Sequence, residues 1–144
     1  MAFCTNNPYA KSCVRSYTNT PQTITADPTT ITIEGSPVVQ SGTSLSLNPS
    51  SISVLTSGLY HFSADVTFTP DDAGTFIVGL YKDGLALPCA VSQTTVASGE
   101  AITTHIETDL VLSSCCAVQP EITVVASGVA GTINHTCTGG LRLA

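Results

Sequence analysis

Charge is scarce in this sequence. Only 10% of its 144 residues are Asp, Glu, Lys or Arg, against roughly 25% in an ordinary globular protein. Tryptophan is absent, methionine occurs once, and aromatic residues make up 6%. Four Lys and Arg against ten Asp and Glu leave a net charge of −6. That balance argues against nucleic acid as a partner, because neutralising phosphates takes clustered cations. No run of 18 apolar residues occurs, so no helical membrane span is expected. The opening MAFCTNNPYAKSC lacks the apolar core of a secretory signal, and the expectation is a soluble chain made in the cytosol.

Several catalytic signatures are missing too. Without C-x-x-C, a zinc ribbon or dithiol centre is unsupported. There is no G-x-S-x-G, no P-loop and no dinucleotide-binding glycine pattern. No Ser/His/Asp set stands out from a background of 16 serines. Neither an enzyme nor a bound cofactor or metal is expected.

Hydroxyl residues fill the gap left by charge: 22 Thr and 16 Ser. Thr packs its branched Cβ well on a pleated surface, and Ser suits the turns between strands. Mean hydropathy is positive. Solubility normally rests on surface charge, so part of this surface is expected to be covered by neighbouring molecules.

Two regions emerge along the chain. Residues 1–22 are polar, rich in Asn and Thr, and show no sustained period, which reads as an N-terminal arm. This arm carries Lys11 and Arg15, and residues 1–26 hold no acid, giving +2 against −8 for the remainder. A basic arm on an acidic body suits a docking peptide. Phe3, Tyr9, Lys11, Arg15 and Tyr17 are its candidate anchoring residues.

Residues 23–144 read as strand and turn throughout. From Leu59 to Thr69, Tyr60, Phe62, Ala64, Val66 and Phe68 alternate with Leu59, His61, Ser63, Asp65 and Thr67; such a rhythm marks a half-buried strand. Pro70-Asp71-Asp72-Ala73-Gly74 breaks it. Thr75 to Lys82 is apolar on both faces (Phe76, Val78 and Leu80; Ile77 and Tyr81), as a central strand would be. Asp83-Gly84 predicts a tight hairpin, with Leu85 to Val91 returning. A second alternating strand places Ile102, Thr104, Ile106, Thr108, Leu110 and Leu112 opposite Thr103, His105, Glu107, Asp109 and Val111. Glu121–Ala126 and Thr132–Leu143 close the set, and Ile31–Glu34, Ser44–Leu47 and Ile52–Leu55 supply shorter strands. This predicts an all-β antiparallel sandwich or barrel.

Six cysteines stand at 4, 13, 89, 115, 116 and 137. The favoured reading is small buried hydrophobes kept reduced; a Cys4–Cys13 loop, or pairing of Cys115 or Cys116 with Cys137 or with other copies, are alternatives. His105, Glu107 and Asp109 share a strand face, and with His61 and Asp65 they would form a metal or acid/base cluster. The same pattern describes any solvated face, which is the preferred reading. Asn134-His-Thr136 matches a glycosylation sequon and is read as chance.

The run Ile52-Ser-Val-Leu-Thr-Ser-Gly-Leu-Tyr-His-Phe followed by Ala64-Asp-Val-Thr-Phe resembles the Gly-x-Tyr-x-Phe signature of the complement globular-head and tumour necrosis factor superfamily. Val78-Gly-Leu-Tyr-Lys-Asp-Gly and the closing Gly139-Gly-Leu-Arg-Leu-Ala resemble later strands of that family. The likeness spans about residues 30–144. It implies a ten-stranded jelly-roll head packed as a homotrimer. Tyr60, Phe62, Val66, Phe68, Phe76, Leu141 and Leu143 would then lie in the core or near the trimer seam. No Gly-x-y stalk is present, which sets complement-like members aside; short collagen-free members occur among bacterial surface and bacteriophage particle proteins. The resemblance, the arm and the charge pattern together point to a head-fibre or capsid-decoration protein of a phage virion. The arm would dock on a capsid or other particle protein, with a host surface glycan as a further partner. A bacterial surface or spore-coat adhesin, or a glycan-binding head, is the alternative.

Overall fold

The computed structural model describes residues 12–115 and 117–144. In chain order the strands are β1 (Ser12–Thr18), β2 (Gln22–Ile24), β3 (Thr29–Thr30), β4 (Val38–Ser41), β5 (Leu45–Leu47), β6 (Ile52–Val54), β7 (Gly58–Pro70), β8 (Gly74–Lys82), β9 (Leu85–Val96), β10 (Ile102–Leu112), β11 (Glu121–Ser127) and β12 (Gly131–Arg142). Among the described residues there is no helix.

Ten of these strands form two five-stranded paths. One runs β10-β7-β12-β1-β4, with β2 also on β12; the other runs β5-β6-β11-β8-β9, with β3 also on β11. Every pairing is antiparallel. The result is a β-sandwich, one of the two architectures the alternating strands predicted, with the jelly-roll form that the family resemblance implied.

Burial follows the alternation. Tyr60, Phe62, Ala64, Val66 and Phe68 of β7 are at most 1% exposed, and across the sandwich Phe76, Val78 and Leu80 of β8 are fully buried. Phe68 stacks on Phe76 with ring centroids 4.0 Å apart and an interplanar angle of 10°; such aromatic pairs add to the stabilisation from burial alone. The final strand fits against these rings only because Gly140 has no side chain. A Cβ there would stand 2.7 Å from Phe62 Cδ1, closer than carbon atoms approach. The β8–β9 turn is the expected hairpin: Lys82 pairs with Leu85, and Asp83 (φ 51°) and Gly84 (φ 82°) both take the left-handed backbone conformation that such a turn requires.

Two sequence expectations are corrected. The segment read as an arm through residue 22 contributes β1 to the middle of a sheet, paired with β12 along Ser12–Thr18 and with β4 along Cys13–Ser16, and contributes the start of β2. The apolar alternation that marks β7 is missing from β1 because its inward positions beside Val14 are hydroxyl residues, Ser16 and Thr18, both buried. Ser16 Oγ accepts a hydrogen bond from Gly35 N, and Ser12 Oγ donates to Ser41 O, which meets the requirement that buried polar groups be partnered. The second correction concerns Ile31–Glu34. It lies outside any strand; Ile31 and Ile33 are fully buried, and their backbone N–H groups donate to Val124 O and Pro49 O.

Candidate interaction face

Directly opposed residues in an antiparallel sheet share a face, so the register decides what the first sheet turns outward. On β10 and β7 the pairs are His105–Asp65, Glu107–Ser63 and Asp109–His61. On β12 Cys137 stands beside Asp65, Gly139 beside Ser63 and Leu141 beside His61. On β1 follow Tyr17, Arg15 and Cys13, opposite Cys137, Gly139 and Leu141. This outer face therefore changes character across its width.

Its β1–β4 side is largely apolar around Arg15. Cys13 and Leu141 form a small buried cluster of their own, separate from the main core, with Val39 and Leu143 packed against it. Tyr17, 36% exposed, stacks on the His135 ring at a centroid distance of 6.3 Å. Cys13 is disulfide-bonded, while Cys89, Cys115 and Cys137 carry free thiols. The reading of small, buried, reduced cysteines thus fails at Cys13, which is bonded, and in its burial at the others, since Cys89 and Cys115 are exposed and Cys137 is half-buried; Cys4 and Cys116 lie outside the described residues.

The β7–β10 side is a row of titratable groups. His105 Nδ1 lies 2.7 Å from Asp65 Oδ1, and His61 Nδ1 lies 2.5 Å from Asp109 Oδ1. Glu107 Oε2 stands between the two rings, 3.3 Å from His105 Nε2 and 3.5 Å from His61 Nε2. Ser63, the small residue opposite Glu107, leaves room for its side chain to lean between the imidazoles. The hydrogen bond His105 donates to Asp65, then that to Glu107, pushes its pKa above the ordinary 6.5, against a smaller opposing effect of burial. All five residues were grouped from the sequence by strand spacing, and the structure brings all five together. Among the described residues no three His, Cys, Asp or Glu side chains are arranged to hold a metal ion, and no pocket is present.

The other sequence-predicted residues divide by position. Tyr60, Phe62, Val66, Phe68 and Phe76 point into the sandwich interior of a single chain, whereas Leu141 and Leu143 belong to the cluster on the outer face. Arg15 and Tyr17, expected in a free arm, are outward-facing residues of β1; Phe3, Tyr9 and Lys11 lie outside the described residues. At Asn134, where the β12–β7 register shifts between Ile133 and His135, the side-chain oxygen accepts a hydrogen bond from Thr69 Oγ1. Sequence reasoning missed Val39 and Cys13 as members of an apolar cluster. The outward alternation Cys13, Arg15, Tyr17 was the available signal, and it mixes apolar and charged types.

Two six-stranded sheets in this order can be set beside solved structures. Murine APRIL, a TNF-family protein whose crystal structure was determined at pH 5.0, superposes with a TM-score of 0.66 at 16% identity, over 92% of this chain and 98% of that one. The PRD1 vertex protein P5, a phage protein, superposes with a TM-score of 0.65 at 13% identity, over 93% of this chain and 74% of that one. The fold is a TNF-like jelly roll. No family model matches the sequence, and no curated protein matches it. The TNF-like likeness is one of backbone path, carried by the two sheets, and at these identities it transfers no site residue. Among the described residues no helix is long and apolar enough to cross a membrane.

Proposed function

We propose that this chain is a non-catalytic structural component of a bacteriophage particle, a homotrimeric TNF-like head that decorates the capsid or forms a head fibre. The observation that carries the reading is the backbone likeness to a phage vertex protein over 93% of the chain, on a sequence with 10% charged residues. So few charges leave an outer sheet face with a half that is largely apolar (Val39, Leu143 and Tyr17 around Arg15) beside an ionic one, a composition that suits contact with other protein rather than bulk water. Val111, 79% exposed, adds apolar surface at the β10 end of that face, and Leu85, 75% exposed, adds more at the β8–β9 hairpin. Under this reading the head self-associates through the outer sheet face. Residues before β1, carrying Phe3, Tyr9 and Lys11, dock on a particle protein.

The test uses the full chain. Wild-type protein is expected to co-purify with particles. A Phe3→Ala/Tyr9→Ala/Lys11→Glu variant is expected to keep its oligomeric state and be missing from them. Packaging of that variant at the wild-type level would contradict docking through this segment, and absence of the wild-type chain from particles would contradict the particle role.

A further inference from the structure

The row on β7 and β10 has a stoichiometry that solvation alone does not explain. A neutral imidazole has one N–H and one lone pair, whereas an imidazolium donates from both nitrogens. Both rings here have carboxylate oxygens at both nitrogens: Asp65 and Glu107 at His105, Asp109 and Glu107 at His61. In the neutral state one contact of each ring sets a lone pair against an anionic oxygen. On protonation all four contacts become charge-assisted hydrogen bonds, and Glu107 Oε2 accepts from two strands' imidazoles at once. The charge of the row falls from −3 to −1.

The location gives this chemistry a mechanical meaning. β10 is the end strand of its sheet, hydrogen-bonded on one side only, to β7. The row crosses that single seam three times: His105 to Asp65, Glu107 to His61, and Asp109 to His61. We propose that Asp65, His105, Glu107, His61 and Asp109 form a proton-operated latch that fastens edge strand β10 to β7 more firmly as the pH falls below neutrality. The other groups on this face do not duplicate it. Beside the row, β12 presents the Cys137 thiol next to Asp65 and His135 next to Thr67, and β1 beyond presents Arg15 next to Gly139 and Tyr17 next to Cys137. β9, which passes near β10, has Cys89 as its one titratable side chain.

The sign follows from linkage. A histidine that binds its proton more tightly folded than unfolded stabilises the fold fully below its unfolded pKa, and that contribution is lost as the pH rises through the folded value. Two measurements on the intact chain test the latch. Imidazole ¹H–¹⁵N correlation spectra across pH 5 to 9 are expected to show His105 titrating above 6.5, with Glu107→Gln and Asp65→Asn each lowering its midpoint. The melting temperature is expected to rise by about 2–3 °C from pH 8 to pH 6, and His61→Gln/His105→Gln to lose that rise. General relief of acidic self-repulsion would stabilise both proteins alike, so an equal rise in the double variant overturns the latch. So does a His105 midpoint at or below 6.5, or one that neither carboxylate substitution moves. None of these readouts requires particle binding, and light scattering on the same samples separates a lost rise from a change of oligomeric state.

Discussion

Phe62 and Gly140 show how tightly single residues set this fold. The Phe62 ring occupies the space that a side chain at 140 would need, so the pair is one packing unit shared by β7 and β12. Phe62→Ala is expected to cost about 3–5 kcal/mol through lost burial and the cavity left behind. Chemical denaturation monitored by circular dichroism measures it. Gly140→Ala, which pushes a methyl into the ring, is expected to destabilise by about 1–3 kcal/mol. Thr138 works the other way: its hydroxyl is buried with no hydrogen-bond partner among the described residues. Thr138→Val removes that unsatisfied group at nearly constant shape and is expected to raise the melting temperature. Tyr60 is held differently. Burial pushes its phenol above the ordinary pKa of 10.0, partly offset by Ser44 and Arg142, and its hydroxyl donates to Thr56 O.

At the scale of elements, what the sequence revealed depended on which residue types face inward. β7 was legible because aromatic and aliphatic side chains recur at every second position and so share one sheet face, and β10 because Ile and Leu recur there with Thr between them. That same rhythm grouped the two histidines and three carboxylates before any pairing was known. The Asp83-Gly84 hairpin was legible because its turn demands residues that tolerate positive φ. β1 was not, since Ser16 and Thr18 occupy its inward positions, and periodicity cannot distinguish a buried hydroxyl from a solvated one. β4 was missed as well: Val38 is 43% exposed while Val39 packs on the outer cluster, so its apolar pair straddles two faces. The corrected boundary has an experimental consequence. Removing residues 1–21 deletes β1 from between β12 and β4 and is expected to abolish the cooperative thermal transition. A truncated chain that loses docking but keeps the transition would show that β1 is dispensable.

For the whole molecule, the two six-stranded sheets fix the TNF-like jelly roll, while the function proposed for it rests on what covers the outer face of the first sheet. A chain with this little charge, half of one sheet face apolar and several large side chains exposed is expected to find its own copies in solution. The disulfide at Cys13 sits within that face, beside Leu141. The most direct test is the solution mass of the intact chain by light scattering at micromolar concentration. The account expects three times the 14.8 kDa of one chain; a particle of 14.8 kDa that persists as concentration rises would contradict it.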